Sequence, residues 1–216
     1  AGTQTAGLVF GGLTAPATTE TETESWDGSS WTELNDLNTG RAYVGSDGTQ
    51  TAAWLAGGGN LPGDPAYTDV HEQWNGTSWS EAADLNNNRA FLAGFGTSTA
   101  ALVAGDYPAG GNTETWNGTA WTEVNDLNTA RYNVYGAGIQ TAGLVFGGLI
   151  GPGPQTADTE DWDGTSWTEV ANLPAATSRT AGIGTQVLAL QVSGGEPMQA
   201  AVSEWTIGQN VKTITD

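Results

Sequence analysis

The 216-residue sequence contains no cysteine, one histidine, one methionine and only five basic residues. Without cysteine there is no disulfide framework, no thiol nucleophile and no thiolate metal cluster. The lone His71 excludes a multi-histidine metal site. Against the five basic residues stand 24 acidic ones, for a net charge of −19. Such a field repels phosphate and argues against DNA or RNA as partners. No apolar run approaches the roughly 20 residues needed to span a bilayer, so no membrane span is expected. Nor does any segment of helix length carry a 3.6-residue apolar period. What the chain has in excess is glycine (32) and tryptophan (10), with enough length to bury a real core.

These residues fall into a repeat. The segment Glu24-Ser25-Trp26-Asp27-Gly28-Ser29-Ser30-Trp31-Thr32-Glu33 returns as Glu72 to Glu81, Glu114 to Glu123 and Glu160 to Glu169. Its leading tryptophans are Trp26, Trp74, Trp116, Trp162 and Trp205, spaced by 48, 42, 46 and 43 residues. The second tryptophans are Trp31, Trp79, Trp121 and Trp167; the fifth copy lacks one and places Val211 there. A Gly-Thr-Gln-Thr-Ala motif begins at Gly2 and is echoed from Gly48, Gly96, Gly138 and Gly184. Arg41, Arg89, Arg131 and Arg179 follow the second tryptophan, and we read each as opening the next copy with an aromatic-bearing strand such as Arg41-Ala42-Tyr43-Val44. The copies divide the chain at approximately 1–40, 41–88, 89–130, 131–178 and 179–216. The first copy lacks its own arginine-led strand, which is expected to come from sequence upstream of Ala1, with further copies possible there.

Local signals within a copy are all β. Leu8-Val9-Phe10-Gly11-Gly12 is a short apolar run closed by glycines, and Thr19 to Trp26 is β-prone. Asp27-Gly28, Asn75-Gly76, Asn117-Gly118 and Asp163-Gly164 are tight-turn dipeptides. Four strands per copy predict an all-β fold, a β-propeller of five blades with four antiparallel strands each, as a single domain over 1–216.

The order of an arginine-led strand, an apolar strand with Gly11-Gly12, Gly57-Gly58 or Gly147-Gly148, then a tryptophan strand resembles the kelch repeat. The wording of the units at Gly138 to Ala142, Trp74 to Trp79 and Asp126 to Arg131 resembles a subtype found in virion proteins of tailed marine phages. That resemblance implies a non-enzymatic structural or adhesion module in a tail fibre, appendage or capsid decoration. Its location would be the virion or the extracellular space. Its partners would be other virion or surface proteins and a host-surface glycan. The alternative is a bacterial surface propeller that binds glycans or assembles into a filament. Kelch-type copper oxidases need a cysteine-modified tyrosine and histidine ligands, which this composition lacks.

Residues that recur in phase are expected to build the scaffold. Glu24, Glu72, Glu114 and Glu160 share a strand face with the tryptophans and invite ion pairs with the arginines between neighbouring blades or loops. No Asp-x-Asp-x-Asp-Gly calcium loop occurs, and neither metal nor cofactor is expected. His71 stands in phase beside Glu72 and is expected to be a satisfied or solvated residue, with no triad role. Function is sought where copies differ, in the second-to-third strand connections and the blade-to-blade links. In a four-stranded blade these emerge on one face. They hold the candidate ligand-binding residues Tyr67, Tyr107, Asp64, Asp106 and Asn87.

Overall fold

A computed structural model describes residues 1–14, 18–59, 67–107, 110–194, 199–206 and 209–214. Side chains are described as far as Val192 and again over Val202–Thr206. Asp64, the prolines at 16, 62, 65, 108 and 197, and Met198 lie outside the described residues. The chain forms five blades of four antiparallel strands in a propeller arrangement. Blade one comprises Gly2–Thr3, Ala6–Phe10, Thr23–Trp26 and Trp31–Glu33. Blade two comprises Gly45–Thr49, Ala52–Ala56, His71–Trp74 and Trp79–Glu81. Blade three comprises Ala93–Thr97, Ala100–Asp106, Gly110–Trp116 and Trp121–Glu123. Blade four comprises Tyr135–Ile139, Ala142–Phe146, Thr159–Trp162 and Trp167–Glu169. Blade five comprises Ala181–Thr185, Leu188–Gly194, Gln199–Thr206 and Gln209–Ile214. Among the described residues no helix occurs, and so none is long and apolar enough to cross a membrane.

The first blade does have an inner strand, reduced to Gly2–Thr3. In the other blades the inner strand begins about one turn later than the arginine-led reading placed it. Arg41 and Ala42 precede Tyr43, whose φ of 61° turns the chain before Gly45–Thr49 starts. In blade five, Glu204 pairs with Lys212, which leaves Val211 next along the outer strand, in the register of the missing second tryptophan.

The core is not central; it lies between the blades. Four apolar clusters occupy the four successive blade-to-blade junctions. On the earlier blade, Leu8, Trp54, Leu102 or Leu144 is joined by a link leucine, Leu37, Leu85, Leu127 or Leu173. The later blade supplies its first tryptophan, and at the first three junctions its second as well. Trp54, the one tryptophan outside the double motif, is simply the bulky member of the leucine series.

Repeat letters now have reasons. Each leading tryptophan donates its indole N–H to the main-chain carbonyl at the third motif position: Trp26 to Gln4 (3.1 Å), Trp74 to Gln50 (3.0 Å), Trp162 to Gln140 (2.9 Å). The glutamine side chain reaches back, Gln50 donating to the Trp26 carbonyl at 2.7 Å and Gln186 to that of Trp162 at 2.9 Å. The motif therefore laces a blade internally and ties it to its predecessor. In the outer hairpin, the Asp27 carboxylate accepts from the Ser29 hydroxyl and from the amides of Ser30 and Ser29, all at 2.8 Å, which holds its pKa down at about 2. This explains the Asp/Asn-Gly pair as a turn.

Candidate functional site

The in-phase arginines and glutamates meet, but inside one blade rather than across blades. Arg41 contacts Glu72 at 2.6 Å, Arg89 contacts Glu114 at 2.7 Å, and Arg131 contacts Glu160 at 3.0 Å, all buried. Each arginine leads a blade and each glutamate sits on that blade's third strand. The same carboxylates accept from the blade-to-blade link: Glu72 from the amide and side chain of Asn38, Glu160 from those of Asn128. A buried pair with its remaining acceptors satisfied fixes where the link enters the blade. Arg179 does not belong to this series. The carbonyls that crowd Gly11, Gly57, Gly105 and Gly147 are those of Arg41, Arg89, Arg131 and Thr177. Thr177 therefore holds the arginine register in blade five, and Arg179 lies two residues on, exposed.

His71 is fully buried. The second tryptophan of each following blade bonds back to one register of the third strand: Trp79 to Thr23 Oγ1 (2.9 Å), Trp121 to His71 Nδ1 (3.2 Å) and Trp167 to Thr113 Oγ1 (3.1 Å). Nδ1 also lies 3.2 Å from the Ala83 carbonyl, so it sits between the Trp121 indole N–H and a backbone acceptor. Burial lowers the His71 pKa to about 4, with Arg41 contributing in the same direction. The unfolded chain therefore binds this proton more readily, near 6.5. The corresponding stability is complete above that pH and is lost as the pH falls toward about 4. His71→Thr, which copies the neighbouring blades, is expected to flatten the acid limb. Thermal midpoints of variant and wild type should converge by about 5 °C between pH 7 and pH 4.5.

The face that carries the variable loops gathers an aromatic cluster. Tyr67 and Tyr107, from the second-to-third connections of blades two and three, meet with ring centroids 5.6 Å apart. Phe91 lies 6.3 Å from Tyr67 and 5.9 Å from Tyr107. Tyr43 stacks on Phe91 at 4.1 Å, and Tyr132 stands edge-on to Tyr107 at 5.0 Å. Four of the five tyrosines of the chain thus share one patch. Their rings are half-buried, while Phe91 is buried beneath them.

The patch is built on backbone. Tyr43, Phe91, Asn133 and Arg179 occupy one register of successive blades, and all adopt left-handed φ values of 52° to 63°. Non-glycine residues enter that region at a cost of order 1–2 kcal/mol. Here successive blades oppose it: the Phe91 amide donates to the Tyr43 carbonyl and the Asn133 amide to that of Phe91, both at 2.8 Å. Tyr107 is pinned by its amide donating to the Ala90 carbonyl at 3.1 Å, and Tyr67 by a bridge to Gly59. The aromatic floor is consequently rigid.

Asp106 adjoins the cluster through Tyr107 but is 8% exposed and accepts from the Asn112 side chain at 3.0 Å. Burial raises its pKa, with Arg89 opposing. It substitutes for the second glycine of the pair because the strand continues through a bulge to pair Asp106 with Gly110. Asn87 stands exposed on the link before Arg89, where its neighbour Asn86 is bound to Glu114. Of the residues singled out by sequence, the structure therefore brings Tyr67 and Tyr107 together, with Asp106 as support. The sequence reading missed Tyr43, Phe91 and Tyr132. Arg179 reaches the same region electrostatically, favouring the charged form of Tyr132 and Tyr135, whose pKa values burial raises. Among the described residues no group of three His, Asp or Glu side chains could hold a metal ion. No family model matches the chain, and no curated protein matches it significantly.

Proposed function

We propose that this protein is a non-enzymatic binding and display module of kelch-like build, whose tyrosine face receives a glycan. The carrying observation is the cluster of Tyr67, Tyr107 and Tyr132 over Phe91 on hydrogen-bonded loop ends. Half-buried tyrosine rings suit the apolar faces of pyranose rings, and their hydroxyls suit the sugar's. A floor held by backbone bonds loses little entropy when a ligand binds. The absence of a catalytic step in this reading is supported by the full burial of His71, the one histidine of the chain, against Trp121. The wording of the repeats supports a place on a virion, in a tail fibre, appendage or capsid decoration, with a host-surface glycan as ligand. A glycan array probed with the purified chain tests the reading. Binding to a defined glycan class is expected, with Tyr107→Ala weakening it by about tenfold or more. Ser29→Ala, on a hairpin turn at the opposite end of the blades, should leave binding unchanged. Equal binding by wild type and Tyr107→Ala overturns the assignment of the face.

A further inference from the structure

The two end blades expose faces that every internal blade buries. At the second-strand register turned toward the preceding blade, Leu55, Val103 and Val145 are 0% exposed, whereas Val9 of blade one is 53% exposed. The second tryptophans Trp79, Trp121 and Trp167 are 5–6% exposed, whereas Trp31 is 50% exposed. On the opposite side, Phe95 and Ala137 are 1% and 4% exposed under the following blade, whereas Ile183 in the same register of blade five is 64% exposed. Val192 (39%) takes the register of Ala56, Ala104 and Phe146, all at 2% or less, and Leu188, on the same face at the start of that strand, is 59% exposed. A groove of about 360 Å³ is lined by Ile183, Leu188 and Leu190 of this face. Scattered exposed apolar residues need no explanation, but a contiguous apolar strip at repeat-equivalent positions marks an interface.

We propose that the open face of blade five is a docking surface for blade one of a second copy of this chain. The argument is continuity with the junctions already present. At each of the four, a face equivalent to that of blade five receives a face equivalent to that of blade one. The chain exposes one of each, so head-to-tail association repeats an interface it makes internally. Such a heterologous contact closes into a ring or propagates as a filament, depending on its rotation.

Sedimentation equilibrium tests this at about 0.3 M salt, where the repulsion between chains of charge −19 is screened. Wild type should show a mass that rises above 22.2 kDa between about 1 and about 100 µM. Leu188→Glu blocks one end and Val9→Glu the other. Both positions are more than half exposed, so neither change disturbs packing within the chain. Each variant alone should remain at monomer mass, and an equimolar mixture should form a dimer and stop there. A monomeric wild type throughout that range overturns the proposal, as does either variant assembling alone like wild type. Neither variant touches Tyr107, so the glycan reading stands or falls separately.

Discussion

Arg131→Ala is expected to cost about 3–5 kcal/mol of unfolding free energy, one of the two largest effects of a single substitution. Arg131 is fully buried and donates to Glu160 Oε1 at 3.0 Å and to the carbonyls of Gly147 (2.8 Å) and Asp158 (2.6 Å). Truncation strands the Glu160 carboxylate, 0% exposed, without its counter-charge. The Asn128 bonds that pin the incoming link then hang on a buried charge with no counter-ion. Because the loss comes from the orphaned partner, replacing both members with apolar residues, as in Arg131→Met/Glu160→Leu, should recover most of it. Arg179→Ala should cost less, about 1 kcal/mol or below, because Arg179 is exposed to solvent. Urea midpoints with an unchanged m-value measure all three.

The second large effect lies at the junction of blades three and four. Phe95 inserts against Gly136 and Gly143, and a Cβ built on Gly143 would lie 2.3 Å from the Phe95 ring. The other internal junctions show the complementary choice. Ala137 faces a blade with Ala189 at the Gly143 register, and Asp47 one with Ala101. Bulk on one blade is matched by its absence on the next. Gly143→Ala is expected to cost about 1–3 kcal/mol by overpacking, and Phe95→Ala about 3–5 kcal/mol by leaving a cavity. In Phe95→Ala/Gly143→Ala the added methyl group meets no ring, so the double variant should be no less stable than Phe95→Ala alone. That non-additivity, read as a double-mutant cycle, reports contact across the junction.

The blades were legible because each strand announces itself locally. The double tryptophan, the Asp/Asn-Gly turn and the Gly-Thr-Gln-Thr-Ala motif each perform one hydrogen-bonding task per blade, and repetition exposes the task. The arginine register misled for a physical reason. What blade five must supply beside Gly147 is a backbone carbonyl, given by Thr177, and no side-chain identity is required for that. Counting residues by type therefore placed Arg179 in a series its backbone does not join. Tyr67 and Tyr107 were visible as departures from the repeat. Tyr43, Phe91 and Tyr132 were hidden inside it, because an aromatic residue after the arginine reads as a strand position. The left-handed turn that lifts Tyr43 and Phe91 onto the face has no signature in hydrophobic alternation. The ion pairs were foreseen as partners but not as same-blade partners, since sequence phase does not reveal which copies touch.

The charge of −19 takes on a local meaning in this frame. Cross-strand pairs set Glu72 opposite Glu81, Glu114 opposite Glu123 and Glu160 opposite Glu169, and a buried arginine offsets each. In blade one Glu24 faces Glu33, and both are exposed to water instead. Eight of the 24 acidic residues therefore belong to one repeated pair position of the scaffold.

The central claim is that ligands are received on the tyrosine face. Its most direct test is NMR of the protein carrying 13C-labelled tyrosine rings, titrated with a glycan that the array selects. The account predicts saturable shifts of the Tyr67, Tyr107 and Tyr132 ring signals. The Tyr135 signal, from an inner-strand residue packed into the junction of blades four and five, should stay in place. Saturable binding that leaves the three face tyrosines unmoved would contradict it.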